Sequence, residues 1–287
     1  MRRIHDATRA NDPLLIIAAT AFHYGRDRAN FASPRTTGGP FGPATAGPQA
    51  AFMQNLLIEA QPDDNTCGAT ALHAVYGHFG DHRPLEQVIR EVHQMEGGGT
   101  LAVFLGIHAL QHGYHARLYS YNLKVFDPSW EGLPTKTLRR KLLAQTRIKP
   151  GKKLQSACLA YARFLHEGGE IRFDDPTPDL LGGYFRRNMP VLAGLSATYL
   201  YRSKREYADH RGRSVYHDLK GKPMGHFVVL RGMGNKRVFV ADPYQDNPLG
   251  EGRTYDVPVG RLINSIMLGI VTYDANLLVL SPTPFDE

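Results

Sequence analysis

The amino-acid sequence predicts an α+β fold, with N-terminal helices packed on a C-terminal antiparallel sheet. Helical spacing of apolar residues dominates after residue 50, whereas short β-rich runs separated by turn residues dominate after residue 190. Elements segregated in this way indicate helices packed on one antiparallel sheet. A doubly wound sheet is not favoured, because strands and helices do not alternate and neither G-x-G-x-x-G nor G-x-x-x-x-G-K-S/T follows a strand.

The N-terminal region is predicted to be an extension of the folded domain. Ser33–Pro48 contains four glycines and four prolines, which is typical of a loop or linker. The apolar run Leu14–Phe22 is too short to span a bilayer, and His23–Arg26 follows it where small residues should mark a signal-peptide cleavage site. We therefore predict an extension over residues 1–50, one domain over residues 51–287 and a cytoplasmic protein without a membrane span.

The first half of the domain carries the helical pattern. Ala71, Val75 and Phe79 share one helix face, and Pro84 suits the first turn of a second helix. Gly97–Gly99 interrupts the pattern, and alternation then predicts a strand over Tyr114–Val125. The predicted helices cover Thr66–Phe79, Pro84–Met95, Leu101–His112, Leu138–Leu143 and Leu154–Leu165.

The second half changes to short strands. Each run is apolar or β-branched and is bounded by glycine, proline or polar turn residues. Ala197–Met224, rich in Tyr, Arg and Asp, separates the first two runs as an insertion. The predicted strands cover Pro190–Leu195, His226–Leu230, Arg237–Ala241 and Leu277–Leu280.

The positive net charge is a local feature. Lys and Arg number 34 against 27 Asp and Glu, which gives +7 and suggests an acidic partner such as nucleic acid. Thr135–Gln155, however, contains eight basic residues and no acidic one, so the remaining chain has 34 − 8 = 26 basic against 27 acidic residues. Nucleic-acid binding is therefore not expected, and the basic stretch is either a solvated helix face or a border of the substrate cleft.

The cysteine count favours a catalytic thiol. Cys67 and Cys158 are too few for a disulfide framework or a cysteine zinc site. The histidine pairs His108/His112 and His78/His82 have a spacing compatible with metal binding on a helix, but the first pair encloses Ala109 and Leu110 instead of the Glu of a metalloprotease. We interpret both pairs as incidental and expect neither a metal nor another cofactor.

Cys67 has the surroundings of a nucleophile. It lies where the polar stretch Gln61–Thr66 meets the N-terminus of the first predicted helix, whose unpaired N–H groups favour a thiolate. Gly68 is small enough to let a substrate approach the sulfur, and the Gln61 amide lies within reach as a donor to an oxyanion. The alternative is a small buried apolar Cys67, but its preceding residues are polar.

His226 and Asp242 are the predicted partners of the thiol. His226 follows Gly225 and opens an apolar strand, and Asp242 ends the next strand before a proline. If these strands pair, the two side chains emerge at nearby strand ends, where the carboxylate can orient the imidazole and stabilise its charged form. Asp127-Pro128 is a competing Asp-Pro turn without such a strand partner.

These motifs resemble the papain-like cysteine peptidases of the double-glycine leader, or bacteriocin-processing, type, particularly their stand-alone relatives. The resemblance covers roughly Phe52 to Pro282 and includes no transporter unit. It implies a papain-like fold with Cys67 as nucleophile, His226 as general base and acid, Asp242 as orienting residue and Gln61 as oxyanion donor.

The predicted activity is cleavage of a peptide or amide bond through a thioester on Cys67. Acyl transfer to an amine or thiol acceptor would use the same triad, and a non-catalytic peptide-binding module could have the same fold. Gly68, Gly225 and Tyr199 are candidate substrate-binding residues, and the insertion Ala197–Met224 is expected to border the cleft.

Overall fold

The computed structural model describes residues 51–285 except 97, 211–213 and 251. The predictions for Leu14–Phe22 and Ser33–Pro48 lie outside the described residues. Strands and helices of the described part follow one another in the order β1, α1, α2, α3, β2, α4, α5, β3, α6, β4, α7, β5, β6, β7, β8, β9, α8, β10.

The helices include all five that the sequence predicts, with shifted ends. The second is shorter than Pro84–Met95 and the fourth longer than Leu138–Leu143. Two single 3₁₀ turns cover Pro128–Trp130 and Gly269–Val271. The helices are α1 (Cys67–His78), α2 (Leu85–Glu91), α3 (Ala102–Gln111), α4 (Thr135–Ile148), α5 (Lys152–His166), α6 (Pro178–Arg186), α7 (Ala197–Tyr201) and α8 (Val259–Leu268).

Within the described residues, eight strands form one sheet and two form a separate hairpin. The order in the large sheet is β3-β2-β10-β4-β7-β8-β9, with β1 paired to β7, and every pair except β2–β3 is antiparallel. The strands are β1 (Ala51–Phe52), β2 (His115–Ser120), β3 (Glu170–Arg172), β4 (Val191–Ser196), β5 (Glu206–Ala208), β6 (Ser214–Tyr216), β7 (Gly225–Gly234), β8 (Arg237–Ala241), β9 (Thr254–Pro258) and β10 (Asn276–Ser281).

The predicted α+β class, with helices packed on an antiparallel sheet, is confirmed. Helix α1 packs on β7, and α3 packs on β2 and β10. Gly106 lets α3 approach α5 closely, because a Cβ there would lie 2.7 Å from the Phe164 ring. Strands β4 and β10 are buried along their whole length, so the core lies in the middle of the sheet. None of the described helices is both long and apolar enough to cross a membrane.

Candidate active site

Cys67 is the first residue of α1 and lies where a polar loop meets the helix. The Thr66 hydroxyl donates to the Asp63 carbonyl at 3.1 Å, and the Asn65 N–H donates to the Asp63 carboxylate at 2.8 Å, so the loop is held by its own polar groups. Among the described residues, no side chain caps the first N–H groups of α1. These unpaired N–H groups and the positive end of the helix dipole therefore lie next to the half-buried thiol.

His226 and Asp242 meet across neighbouring antiparallel strands. His226 is the second residue of β7, and Asp242 directly follows β8. Pairing of Val229 with Ala241 brings the two side chains together, and His226 Nε2 lies 2.8 Å from Asp242 Oδ1. His226 is 7% and Asp242 0% exposed, so water cannot compete for this contact.

The Cys67 thiol lies close enough to the His226 ring to help raise its pKa. Because Asp242 occupies Nε2, the ring has Nδ1 left for the thiol. The three side chains that the sequence singles out therefore form one line of contacts, although they come from a helix N-terminus and two strands. A proton can pass from the sulfur to an imidazole whose orientation is fixed on its other side.

The charges of His226 and Asp242 stabilise each other. Burial alone would lower the pKa of His226, but the Asp242 carboxylate and the contact with Cys67 outweigh it and raise this pKa to about 10. Burial alone would raise the pKa of Asp242, but the His226 charge and several hydrogen bonds hold it below its usual range. The ion pair is thus the favoured state of the two residues at neutral pH.

Asp242 accepts four hydrogen bonds. Besides His226, its Oδ1 accepts the Tyr244 N–H at 2.9 Å. Its Oδ2 accepts the hydroxyls of Tyr201 at 2.7 Å and Tyr255 at 2.6 Å. A carboxylate bound on both oxygens cannot rotate, so the acceptor that faces His226 is fixed in direction.

Gln61 lies in the loop before Cys67, and its amide contacts that loop. Its Nε2 donates to the Asp63 carbonyl at 2.9 Å, and its backbone N–H donates to the Pro243 carbonyl at 2.9 Å. The second contact joins the nucleophile loop to the residue after Asp242. The buried Oε1 of Gln61 has no hydrogen-bond partner among the described residues. One N–H of the amide is used by Asp63, and the other remains for a further acceptor.

The three candidate substrate-binding residues have different surroundings. A Cβ on Gly68 would lie 2.6 Å from Thr100, and a Cβ on Gly225 would lie 1.8 Å from the carboxylate of Asp274, so protein atoms fill both positions. Their missing side chains thus permit close packing next to Cys67 and His226. Tyr199 lies on α7 and is 41% exposed, which leaves its role as a substrate contact a prediction.

The insertion and the basic stretch both reach the surroundings of His226. Tyr216 of the β5–β6 hairpin lies close to Tyr244, whose ring centroid lies 6.4 Å from that of His226. On another side, Lys153 Nζ of the basic stretch donates to the Thr272 carbonyl at 3.1 Å. Thr272 is hydrogen-bonded to Asp274.

Sequence reasoning missed Tyr201, Tyr244 and Tyr255. Tyr201 lies in the tyrosine-rich insertion, where no local feature distinguishes it, and Tyr255 belongs to a strand that the sequence does not predict. Tyr244 is two residues after Asp242, and its backbone N–H closes a local turn onto that carboxylate. Of these three residues, only Tyr244 could have been identified from the sequence, because it is close to Asp242 along the chain.

Neither a family model nor a curated protein matches this sequence. Among the solved structures that match this chain, three are peptidases or peptidase domains. A candidate C39-like peptidase of Bacillus anthracis is 13% identical, with 82% of this chain and 98% of that chain covered and a TM-score of 0.41.

The other two come from transporters. The peptidase domain of Streptococcus ComA, a bifunctional ABC transporter of a quorum-sensing pathway, is 13% identical over 80% of this chain and 100% of that one, with a TM-score of 0.39. A double-glycine-motif protease from an AMS/PCAT transporter, solved with its leader peptide, is 16% identical over 79% of this chain and 91% of that one, with a TM-score of 0.38. Likeness at these scores does not assign an activity.

Proposed function

We propose that this chain is a papain-like cysteine peptidase or amidase, which cleaves a peptide or amide bond through a thioester on Cys67. The observation that carries the proposal is the buried contact of 2.8 Å between His226 and Asp242, with the Cys67 thiol close to the same imidazole. A nucleophile, a base and an orienting carboxylate in this order are what triad chemistry requires.

In the first half of the reaction, the Cys67 sulfur attacks the carbonyl carbon with its proton already held by His226, which is the charged imidazolium at neutral pH. The imidazolium then donates this proton to the leaving nitrogen, the C–N bond breaks and the amine departs. In the second half, His226 takes a proton from a water molecule, whose oxygen attacks the thioester. The C–S bond breaks, the acid is released and the thiol is restored. Asp242 stabilises the imidazolium in both halves.

The oxyanion would be bound at the start of α1. The backbone N–H of Cys67 is among the uncapped donors of the helix, and the Gln61 amide has one N–H beyond its bond to Asp63. Two such donors are the usual composition of an oxyanion hole, and losing one costs about 10²–10³ in rate in other enzymes.

The substrate is proposed to be a peptide. The sequence resemblance makes a leader peptide ending in two glycines the first substrate to test. Added amine would distinguish acyl transfer, because an acceptor that competes with water would appear covalently attached to the product.

The test compares the two cysteines. Cys67→Ala should reduce cleavage of a double-glycine peptide by at least about 10³-fold, because no other group can form the thioester. Cys158→Ala is the matched control, since Cys158 is buried in α5 and should leave the rate unchanged. Mass spectrometry of products and of the protein after iodoacetamide labelling gives both readouts. Full activity of Cys67→Ala would show that the assignment is wrong.

A further inference from the structure

Glu91, His108 and His112 converge at one point outside the candidate active site. Glu91 ends α2, His108 lies in the last turn of α3, and His112 directly follows α3. Glu91 Oε2 lies 3.2 Å from His108 Nε2 and 3.5 Å from His112 Nε2. One ligand atom from each side chain lies within 4.8 Å of the other two. The sequence suggested only the histidine pair, because Glu91 comes from another helix.

The hydrogen bond of His112 determines where its proton lies. His112 Nδ1 is 2.7 Å from the His108 carbonyl oxygen, which can only accept, so Nδ1 carries the proton. In the neutral ring, Nε2 then has a lone pair that faces an oxygen of Glu91 at 3.5 Å. A lone pair and a carboxylate repel each other unless a proton or a metal ion lies between them.

His108 has the surroundings of a metal ligand. Its Nδ1 lies 2.8 Å from the buried Tyr76 hydroxyl, which leaves Nε2 directed at Glu91. Metal-binding histidines usually use the second ring nitrogen in this way, with an oxygen partner that fixes the ring.

The two separations from Glu91 fit a tetrahedral ion. Metal–ligand bonds of about 2.0–2.1 Å place neighbouring ligand atoms roughly 3.3–3.4 Å apart. The two distances from Glu91 Oε2, 3.2 and 3.5 Å, lie on either side of this range. Two imidazoles and a carboxylate suit zinc. We propose that Glu91, His108 and His112 bind one Zn²⁺ ion, with water as the fourth ligand.

Binding requires a small rearrangement of the rings. They are stacked with centroids 4.2 Å apart and planes 27° apart, whereas a bound ion lies in the plane of each imidazole that holds it. The rings must therefore tilt apart. His112 lies beyond the end of α3 and its side chain is 28% exposed, so it has room to turn. A surface cavity of about 290 Å³, lined in part by Glu91 and His108, admits the ion and its water.

The ion would join three helices. Glu91 belongs to α2 and His108 to α3, and Tyr76 extends the contact to α1, whose first residue is Cys67. The role is structural, since the ligands are not part of the triad. An ion that binds only the folded state stabilises it by mass action, so zinc should raise the melting temperature.

The experiment uses the full chain with Cys67→Ala, so that the thiol next to His226 cannot bind zinc. After removal of metal by a chelator, calorimetric titration with ZnCl₂ should show one equivalent bound. His112→Asn in the same background should weaken binding at least about 100-fold, and Tyr76→Phe about 10–100-fold. Cobalt should give a visible spectrum of nitrogen and oxygen ligands without a thiolate band, which separates the site from Cys158.

The control is His166→Asn, which removes an exposed histidine of α5 and should leave zinc affinity and the rise in melting temperature unchanged. The absence of zinc binding to the Cys67→Ala chain would overturn the proposal. Equal affinities of the His112→Asn and His166→Asn variants would also overturn it, because the ion would then bind elsewhere. The proposal does not depend on the peptidase activity.

Discussion

Asp242 shows how the neighbours of one residue tune the candidate triad. Its Oδ1 accepts from His226 and Tyr244, and its Oδ2 accepts from Tyr201 and Tyr255. Each hydroxyl withdraws negative charge from the carboxylate and so weakens its attraction for the imidazolium. The two tyrosines therefore keep the carboxylate charged and oriented, and they limit how far it raises the basicity of His226.

Removing one hydroxyl should shift the pH dependence of catalysis. In Tyr255→Phe, Asp242 stabilises the protonated His226 more strongly. The alkaline limb of the pH profile, where kcat/KM falls as His226 loses its proton, should therefore move to higher pH. The free energy of unfolding should fall by about 1.5–3 kcal/mol, since a buried hydrogen bond to a charged group is lost. Rate profiles between pH 5 and 11 and urea unfolding measure the two effects.

Two further variants make this prediction specific. Tyr201→Phe should shift the limb in the same direction, because its hydroxyl binds the same oxygen at 2.7 Å. Tyr121→Phe, whose hydroxyl donates instead to the Asp174 carbonyl at 3.1 Å, should leave the pH profile unchanged. A Tyr255→Phe enzyme with lower stability and an unshifted limb would contradict a role in tuning His226.

At the same scale, the sequence identified the residues that have a distinctive local context. Cys67 stands out at a polar loop before a helix, and His226 and Asp242 stand at strand ends. Tyr201 and Tyr255 contact Asp242 from 41 and 13 residues away, in segments where a tyrosine has no unusual neighbour. Such contacts depend on tertiary packing, which no short motif encodes.

Among the secondary-structure elements, the start of β7 is the most constrained. Gly225 pairs with Ser196 of β4, and the Asp274 carboxylate before β10 occupies the space where a side chain of Gly225 would lie. The Thr272 hydroxyl is the next group, at 2.8 Å from the position of that Cβ. The strand can carry His226 at this place only if the preceding residue has no side chain.

Gly225→Ala should therefore disturb both stability and activity. The added methyl group would lie 1.8 Å from Asp274 Oδ2, so the strand or the carboxylate must move, at a cost of about 1–3 kcal/mol in the free energy of unfolding. A small shift of His226 would also reduce kcat/KM, by up to about 10²-fold. Urea unfolding and peptide cleavage measure these effects.

Gly77→Ala is the matched control for this substitution. Gly77 lies inside α1, and a Cβ there has no neighbour within 4 Å, so alanine should raise stability by about 0.5–1 kcal/mol through helix propensity. Gly225→Ala with the stability and rate of the original chain would show that the contact with Asp274 does not constrain β7.

Helices and strands with a regular spacing of apolar residues were predictable from the sequence. Those that depend on packing against other elements were not. The helix containing Ala71 and Val75 was predicted within one residue of both observed ends. The strand at His226 was predicted within one residue of its start, but it continues to Gly234, four residues beyond the predicted end. Strand β9 and helix α8 were missed, because polar residues and Pro258 interrupt their apolar pattern. They are held by packing, since Val257, Leu262 and Ile266 are buried.

For the whole molecule, the α+β class was predictable and the order of the strands was not. Helices before strands indicated the class, but β2 from the helical half lies beside β10, the last strand. Strand β10 in turn pairs with β4, so the central strands are far apart in sequence. A single sequence does not show such non-local pairing, because an apolar run indicates only that a strand is buried and not which strand it pairs with.

Buried titratable groups make the stability of the whole molecule depend on pH. Burial raises the pKa of Asp274 to about 7, although the Thr272 hydroxyl, Lys153 and His226 act in the opposite direction. A raised carboxyl pKa means that the folded chain keeps a proton that the unfolded chain releases, so stability falls as pH rises from 3.8 to about 7. His226 adds stability below pH 6.5 that is lost as pH rises to about 10, whereas the lowered pKa of Asp242 adds stability that is lost in acid.

Asp274→Asn should remove the part of this dependence that lies between pH 4 and 7. At about 1.4 kcal/mol per pKa unit, the variant should be more stable than the original chain by up to about 4 kcal/mol at pH 8 and about equally stable at pH 4. Urea unfolding at both pH values measures the difference. Asp246→Asn, in an exposed loop, should give a curve parallel to that of the original chain. If the stability of Asp274→Asn showed the same pH dependence as that of the original chain, Asp274 would be ionised in the folded chain throughout this range. The burial of its charge would then not limit stability.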